Sequence, residues 1–435
     1  MQNNIRQAVQ YDNNELVISE VVQKAIREGL LPAQNPAAVF FCLPEYQQML
    51  AELSEAFPYP ALNALAVKTN PLIKVLKMAA DKGFGAECAS AGELAIAKKA
   101  GFPAERIVFD SPVKTEQEVR YALNEKIYIN ADNAQELALI RRLIENGLSS
   151  GGGSIGLRIN PGLPLNEYGR YFSAKERNNI TGMRSSKFGV LLGQAKALLT
   201  QNDEFSKILT GLHVHIGSQK SPIEMLINGI KKAVGLAEDL NRNHNYQIRT
   251  FDIGGGLPIQ YTDADEAMSF RAFSDLLYSE VPLLRKYRVV TEFGRAVFAK
   301  AGWAVSRVEY TKTVRNERDE ELKIALTHIG KNMISRHHGI LILNADGDLK
   351  TGAPVLQSIG GPLCFSGDLI GKNRHLPPIQ PGDWMIIKDV GAYTFSEWSF
   401  NANRSFPPIY GYNEFNDFSL LHKGQSEEDV AAFWE

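Results

Sequence analysis

The chain has few cysteines, no long apolar run and almost no excess charge. Its 435 residues include three cysteines, Cys42, Cys88 and Cys364, which are too few and too widely spaced for a disulfide framework. No apolar run reaches the roughly 18 residues that a membrane-spanning helix needs, and the polar first residues do not resemble a secretory signal. The net charge of -2 gives no electrostatic drive toward nucleic acid or an anionic membrane. These absences predict a cytoplasmic protein that binds neither nucleic acid nor membrane.

A coarse alternation of strands and helices runs along the first two thirds of the chain. Eight short β-rich apolar runs are separated mostly by helical patterns, and they lie at 64–68, 85–90, 107–110, 127–130, 156–160, 211–215, 250–254 and 289–293. Eight such units over about 230 residues match the size of a (β/α)8 barrel. A doubly wound open sheet would show the same alternation, but no G-x-G-x-x-G motif follows the first strand.

The pattern changes after about residue 300, where strands and tight turns follow one another without long helices. We therefore predict an α/β fold in which a TIM-type barrel is joined to a C-terminal antiparallel β domain. The predicted limits are 37–300 for the barrel and 301–435 for the β domain. Residues 1–36 contain no barrel strand and are predicted to pack on the β domain.

Polar residues stand at the ends of the predicted strands. They are Lys68, Glu87, Ser90, Arg158, Asn160, His213, His215, Gly254, Gly255, Gly256, Glu292 and Arg295. Because catalytic groups of barrels gather at the C-terminal ends of the strands, these residues are expected to share one mouth. Each has a simpler reading by itself: a solvated lysine, a core histidine, a tight glycine turn or a local ion pair. Their common placement favours an active site.

A metal site is not expected from this set. His213 and His215 alternate on a strand, so they should point to opposite faces, and the neighbouring His337 and His338 are equally unsuited. No cysteine pair has zinc spacing. An aldehyde cofactor explains more residues, because a lysine amine forms a Schiff base with an aldehyde. Pyridoxal 5'-phosphate needs a lysine, a phosphate cradle and a partner for its ring nitrogen.

Nine ordered stretches carry a resemblance to a known family. They are ALAVKTN, GFGAECASAGEL, GLRINP, SSKFGV, GLHVHIGSQ, FDIGGGLP, TEFGRAV, GGPLCFSGD and VGAYTFSEWSFN, between about residue 60 and about residue 404. The chain resembles the fold-type III pyridoxal-phosphate decarboxylases, the diaminopimelate, ornithine and arginine decarboxylase group. The resemblance implies a fold like that of alanine racemase and ornithine decarboxylase, a pyridoxal 5'-phosphate cofactor and an amino-acid substrate.

The resemblance also implies a role for individual residues. Lys68 resembles the lysine that holds the cofactor, Glu292 the acid at the pyridine nitrogen and His215 the residue that stacks on the ring. Glu87 and Arg158 resemble neighbours of the cofactor. The residues that resemble phosphate contacts are Ser218, Gly255, Gly256, Arg295 and Tyr393.

The resemblance further implies a homodimer with shared active sites. Cys364 resembles the residue that one subunit lends to the active site of the other, where it donates a proton to the substrate carbon. Lys187 and Asp368 resemble a pair that bridges the two subunits. Loss of carbon dioxide would leave a carbanion that the pyridinium ring stabilises.

Two departures from the family pattern bear on the substrate. An acid follows this cysteine in diaminopimelate and ornithine decarboxylases and binds the distal amine, whereas Phe365 stands here. Diaminopimelate decarboxylases contain an Arg-Pro-x-x-Tyr stretch. This chain has Arg336 at the arginine position, but His337 and Ile340 stand in place of the proline and the tyrosine. With Arg336, Phe365 and Tyr393 as substrate contacts, we expect a distal arm that is acylated or carries a carboxylate, as in siderophore or antibiotic assembly. Alternatively, Arg336 pairs within the protein and the specificity is relaxed.

Other functions stay open at this point. Diaminopimelate or a basic amino acid such as ornithine or lysine is the alternative substrate. Alanine racemases resemble the barrel but place an arginine at the ring nitrogen, where this chain has Glu292. A non-catalytic, regulatory relative would be expected to lose cofactor contacts that are kept here. A metal-dependent barrel hydrolase has no matching ligand set.

Overall fold

A computed structural model describes residues 13–32, 36–148, 153–164, 168, 182–201, 203–262, 265, 267–315, 319–336 and 338–435. The chain divides into two compact units. One is Gln47–Phe298, and the other combines the flanking segments Met1–Tyr46 and Ala299–Glu435. Within the described ranges, no helix combines the length and the apolar character needed to cross a membrane.

The unit Gln47–Phe298 is built on a closed parallel sheet. Its strands are β2 (Leu62–Ala66), β3 (Gly85–Cys88), β4 (Ile107–Asp110), β5 (Tyr128–Ala131), β6 (Ile155–Asn160), β8 (Gly211–His213), β9 (Thr250–Asp252) and β10 (Arg288–Thr291), with the short β7 (Val190–Leu191) beside β6. β10 pairs with β2, and β5 pairs with β6, so the ring of eight strands closes. The predicted eight-stranded barrel is confirmed, and each of the eight strands of the ring overlaps one of the predicted runs, whereas β7 was not predicted.

Helices follow most of the strands. The helices of the described residues, in both units, are α1 (Asn13–Arg27), α2 (Leu43–Ala56), α3 (Ile73–Asp81), α4 (Ala91–Ala100), α5 (Glu116–Asn124), α6 (Ala134–Glu145), α7 (Leu192–Gln201), α8 (Ile223–Asn243), α9 (Phe270–Glu280), α10 (Arg295–Phe298) and α11 (Glu427–Ala432). Short 3-10 turns occupy Val67–Thr69, Ala104–Arg106, Asp203–Lys207, Pro282–Lys286, Phe395–Glu397 and Asn401–Asn403. Local sequence sets several helix starts: Ser90 caps α4, and Thr115 with Glu118 forms a capping box on α5.

An apolar layer fills part of the barrel interior. It consists of Leu62, Ala64, Val108, Tyr128 and Val290, all from strands of the ring. Tyr128 of β5 reaches across the interior to β8, since a Cβ on Gly211 would lie 2.5 Å from the Tyr128 hydroxyl. Polar residues near the C-terminal ends of the strands follow this layer, as expected for a barrel whose active site lies at that end.

The second unit is a mainly antiparallel β structure. Its strands are β1 (Ala37–Cys42), β11 (Gly302–Arg315), β12 (Glu321–Thr327), β13 (Ile340–Leu343), β14 (Val355–Gly360), β15 (Leu369–Leu376), β16 (Trp384–Ile387), β17 (Ile409–Tyr412) and β18 (Phe418–His422). β1, which the prediction assigned to the barrel domain, pairs here with β11 and with β17. Two pairs, β1 with β17 and β12 with β14, are parallel. The predicted fold class, a barrel plus an antiparallel β domain, is confirmed.

The hydrophobic core of the second unit includes α1. Val21 and Val22 of this helix are fully buried in one cluster with Phe40, Trp303 and Ile386. The rings of Phe40 and Trp303 are stacked with their centroids 4.7 Å apart. The N-terminal helix therefore completes the core of this β structure.

Candidate active site

A lysine and a buried glutamate form an ion pair at the end of β2. β2 runs into the 3-10 turn Val67–Thr69, which carries Lys68, and the Lys68 ammonium pairs with the carboxylate of Glu87 on β3. The Glu87 side chain is fully buried, whereas the Lys68 side chain is 37% exposed. Burial raises the pKa of Glu87 to about 8, although the Lys68 ammonium opposes the rise. The pair therefore presents an accessible amine beside an acid that titrates near neutral pH.

Two histidines contact the carboxylate of Glu292, which directly follows β10. Glu292 Oε2 lies 3.6 Å from His213 Nε2 and 3.4 Å from His215 Nδ1. Burial alone would raise the pKa of Glu292, but the positive charge of His213 lowers it well below its usual range. Glu292 is thus an anion at the barrel mouth.

The predicted orientation of the two histidines was wrong. Ligand atoms of His213, His215 and Glu292 all lie within 4.8 Å of one another, and the same holds for Glu87, Asp110 and Glu292. β8 ends at His213, so the alternation rule does not extend to His215. The geometric objection to a metal therefore fails. A metal at His213 would have to displace a proton, because Asp110 and Glu292 raise the pKa of this histidine to about 9 against the lowering effect of burial.

Arg158 and Asp110 form a buried pair next to this cluster. Arg158 Nη1 donates to Asp110 Oδ2 at 3.1 Å, and the guanidinium lies 4.5 Å from the Phe188 ring centroid. Burial alone raises the pKa of Asp110, but His213 and Arg158 bring it below its usual value. Arg158 is therefore held by an acid inside the barrel, close to the predicted cofactor residues.

The glycine turn after β9 packs against Glu292 and His215. A Cβ on Gly255 would lie 2.3 Å from the Glu292 carbonyl oxygen, and one on Gly256 would lie 2.2 Å from the Gly217 carbonyl oxygen. Gly256 also has a φ of +99°, which favours glycine. Gly255 N donates to His215 Nδ1 at 3.4 Å. Only glycine fits this turn, and its backbone lies beside the histidine and the acid.

The other predicted phosphate contacts of the barrel unit lie on neighbouring segments. Ser218 is exposed and its N–H donates to Ser221 Oγ at 3.1 Å. Arg295, at the start of α10, is buried and donates to the Tyr261 hydroxyl at 2.8 Å. Both residues follow a strand of the ring at its C-terminal end.

The predicted residues of the second unit are described by themselves. Cys364 is exposed, and the neighbouring Phe365 is 46% exposed. The Arg336 guanidinium lies 5.7 Å from the centroid of the Tyr393 ring. His337 lies outside the described residues. The substrate-binding roles of these residues stay predictions.

The two residues predicted to bridge subunits have contacts within the chain. Asp368 is buried, and its carboxylate accepts the N–H groups of Lys331 at 2.6 Å and Leu363 at 2.7 Å. The Lys187 ammonium, in the barrel unit, lies 5.0 Å from the centroid of the Phe188 ring. Their role between subunits stays a prediction.

Two buried acids of the mouth were not singled out from the sequence. Asp110 ends β4 and Asp252 ends β9, whereas His213 was placed at the mouth without a role of its own. Asp252 accepts from Asn130 Nδ2 at 3.1 Å and from Gly254 N at 2.9 Å, while burial raises its pKa well above the usual value. The run IVFD ends in Asp110 and the run TFDIG contains Asp252, and an acid in each apolar run was the available signal.

Comparisons with known proteins agree with this geometry. Residues 45–299 match the family model of the pyridoxal-dependent decarboxylases, pyridoxal binding domain. Diaminopimelate decarboxylase of Aquifex aeolicus is 30% identical over 345 residues, which cover 79% of this chain and 78% of that protein. The L-glutamyl-[BtrI acyl-carrier protein] decarboxylase of Niallia circulans is 27% identical over 402 residues, covering 89% of this chain and 90% of that protein.

A solved structure supports the same assignment. Diaminopimelate decarboxylase from Helicobacter pylori, complexed with L-lysine, superimposes with a TM-score of 0.80 at 25% identity, over 94% of this chain and 99% of that one. The predicted activity and cofactor are thereby confirmed: the protein is a carboxy-lyase that uses pyridoxal 5'-phosphate. With its family model matched over more than half of its length, the chain belongs to the pyridoxal-dependent decarboxylases.

Proposed function

We propose that this enzyme decarboxylates an amino acid whose distal arm carries a carboxylate or an acyl group. In the resembled enzymes an acid follows the cysteine and binds a distal amine. Here the position holds Phe365, whose side chain is 46% exposed and uncharged. An ammonium group brought to this aromatic surface would lose water without gaining a carboxylate partner. This missing charge is the observation that carries the proposal.

Arg336 supports the same substrate class. An arginine presents its N–H donors in a planar fork that fits a carboxylate and also reaches a carbonyl oxygen. Arg336 lies next to the ring of Tyr393, at 5.7 Å from its centroid. We assign Arg336 to the distal carboxylate or acyl oxygen, with Phe365 and Tyr393 as further substrate contacts. One of the relatives described above is named for a glutamyl group on an acyl-carrier protein, which is consistent with this class.

The barrel mouth fits pyridoxal 5'-phosphate. Among the described residues, the buried Oε1 atoms of Glu87 and Glu292 have no hydrogen-bond partner, and a ring N–H would supply one for Glu292. The glycine turn has no side chains of its own to keep a phosphate from its backbone, and its Gly254 and Gly255 N–H groups donate to Asp252 at 2.9 Å and to His215 at 3.4 Å. We propose that Lys68 holds the cofactor covalently, that Glu292 pairs with its ring nitrogen and that His215 covers its face. The remaining proposed contacts are Glu87, Arg158, Ser218, Gly255, Gly256, Arg295 and Tyr393.

Different residues of the chain then have different roles in decarboxylation. When bound, the cofactor supplies an electron sink for the electron pair that departing carbon dioxide leaves on Cα. The Glu292 carboxylate holds a proton on the ring nitrogen, which strengthens that sink. The Lys68–Glu87 pair keeps an exchangeable proton beside the amine that the substrate must displace. The exposed Cys364 thiol donates the proton that Cα receives after carbon dioxide has left.

We further propose a homodimer. The Cys364 thiol of one subunit would serve the active site of the other, and Lys187 would pair with the partner's Asp368. Sedimentation analysis at micromolar concentration should show a dimer. Complementation between Lys68→Ala and Cys364→Ala subunits should restore part of the activity, because a mixed dimer would contain one intact site.

A substrate panel tests the proposed specificity. Carbon dioxide release is measured with L-glutamate, Nδ-acetyl-L-ornithine and a glutamyl thioester of a carrier protein, against L-ornithine, L-lysine and diaminopimelate. The acidic or acylated compounds should have the highest kcat/KM. A faster turnover of the compounds with a free distal ammonium would overturn the proposal and favour the alternative substrates.

Phe365→Asp provides the matched test. Restoring a carboxylate beside Cys364 should raise kcat/KM for lysine or ornithine by at least about tenfold, the usual value of a charge that a site is built to pair. Phe415→Asp is the control, because Phe415 is an exposed phenylalanine of the same unit at 73% exposure. Equal effects of the two substitutions would remove Phe365 from the specificity determinants.

A further inference from the structure

We propose that His213 is a positioning residue that keeps the Glu292 carboxylate ionised and aimed at the cofactor ring. The proposal rests on the proposed role of Glu292 at the ring nitrogen. It gives a function to a residue that the mechanism above does not use. Its basis is the arrangement of charged groups around one buried imidazole.

The first observation is the bridging position of the ring. His213 is fully buried on β8. Its Nδ1 lies 3.5 Å from Asp110 Oδ1, and its Nε2 lies 3.6 Å from Glu292 Oε2. Two carboxylates at opposite edges of one imidazole can both be attracted only if both ring nitrogens carry protons. Both contacts lie at ion-pair distance and neither ring nitrogen makes a hydrogen bond within the described residues, so the arrangement suits an imidazolium attracted by two anions.

The second observation is what the neighbouring strands present to this ring. Arg158 on β6 and Asp252 on β9 are the register partners of His213. Arg158 donates a hydrogen bond to Asp110. Asp252 accepts two hydrogen bonds, and burial raises its pKa. The other facing groups are Asp110 on β4, Glu292 after β10 and the buried hydroxyl of Tyr128 on β5, whose pKa burial raises well above the usual value.

The third observation concerns the other histidine at Glu292. His215 Nδ1 lies 3.4 Å from the Gly255 nitrogen, whose N–H it accepts, and also 3.4 Å from Glu292 Oε2. While it accepts the N–H of Gly255, this nitrogen carries no proton that it could donate to the carboxylate. Burial also lowers the pKa of His215. His215 is thus the neutral histidine of the pair, and His213 supplies the charge that Glu292 needs.

Cofactor affinity of the apoprotein provides the test. The dissociation constant of pyridoxal 5'-phosphate is measured between pH 6.5 and 10.5 for the wild type, His213→Gln, Glu292→Gln and His244→Gln. His244 is a half-buried histidine at the end of α8 in the same unit, so its substitution is the matched control. His213→Gln should weaken binding about tenfold near pH 7, and the ratio to wild type should approach one above about pH 10, where His213 is neutral.

The pattern of outcomes separates the proposals. The role of His213 is overturned if the ratio of the His213→Gln to the wild-type dissociation constant does not change with pH. It is also overturned if that ratio is one near pH 7 while Glu292→Gln weakens binding. Unchanged binding by Glu292→Gln at every pH instead removes Glu292 from the cofactor site, and with it the proposed function of that residue. If His213→Gln does not fold, 15N spectra of histidine-labelled wild-type apoprotein at pH 8 decide: a persisting imidazolium signal supports the proposal, and its absence overturns it.

Discussion

Two lysine–glutamate pairs lie at the C-terminal end of the same barrel, and they differ in exposure. Lys114 has a fully buried side chain, 2.6 Å from Glu136 Oε1, and it also donates to the carbonyl oxygens of Ser111 at 2.7 Å and Asn130 at 2.8 Å. Lys68 pairs with the fully buried Glu87, but its own side chain is 37% exposed.

The difference shows what distinguishes a structural lysine from a reactive one. Burial raises the pKa of both Glu87 and Glu136, with the lysine opposing in each case, so the titration of the acid does not separate the pairs. Access does. The Lys114 ammonium has three acceptors and no solvent, whereas Lys68 is reachable by a cofactor aldehyde. A buried lysine at a barrel mouth is thus not by itself a sign of catalysis.

Replacing Lys68 should have the largest effect on activity. Lys68→Met removes the amine that carries the cofactor, and kcat should fall by more than about a thousandfold. The melting temperature of the apoprotein should fall less than when a buried lysine is removed, because the Lys68 side chain is partly exposed and Glu87, whose pKa is raised to about 8, can take up a proton in place of its cation. Steady-state kinetics and thermal unfolding check both parts. Retained activity in a folded Lys68→Met protein would contradict the claim that Lys68 is the reactive lysine of the two.

Replacing Lys114 should give the opposite pattern. Lys114→Met leaves the Glu136 carboxylate buried without its cation, which should lower the free energy of unfolding by about 3–5 kcal/mol. Protein that remains folded should keep most of its turnover per bound cofactor. Urea unfolding and cofactor-normalised kinetics are the measurements. Loss of turnover without loss of stability would place Lys114 in the catalytic machinery.

The buried titrating groups predict a pH dependence of apoprotein stability. The pKa of Glu87 is raised from 4.5 to about 8, and that of His213 from 6.5 to about 9. Over these windows the folded state binds more protons than the unfolded chain, so stability should fall as the pH rises. Between pH 6.5 and 9 the two shifts together should cost roughly 4–5 kcal/mol. Glu87→Gln, which cannot ionise, should flatten the fall measured by urea unfolding; a steeper fall would contradict the assignment.

Removing an exposed ion pair should have the smallest effect on stability. Glu116 and Arg120 lie one turn apart on α5, with both side chains 44% exposed. Arg120→Gln should change the free energy of unfolding by less than about 0.5 kcal/mol, because exposed ion pairs contribute little. A loss as large as that of Lys114→Met would show that burial is not what separates these pairs.

The sequence predicted the barrel well because its signal is local. Each strand is a short apolar run, and the residues just beyond it, such as Lys68 and Glu292, are expected at the mouth once a barrel is assumed. The glycine turn at Gly254–Gly256 was also visible as a motif, and the structure gives it a steric reason in the close approach of Gly255 to the Glu292 backbone.

Contacts between side chains of different strands could not be predicted from the sequence. His213 was expected at the mouth but received no role, because nothing in GLHVH states that Asp110 and Glu292 face it from other segments of the barrel. The orientation of His215 was mispredicted because the strand ends two residues earlier. Such pairings depend on register and on the ring closing, which local periodicity does not contain.

Reduction with borohydride, followed by peptide mass spectrometry, tests the central claim most directly. The holoenzyme should carry one pyridoxyl group per chain, on Lys68, and none on Lys114. A label on another lysine, or a chain that binds the cofactor and takes no label, would contradict the account.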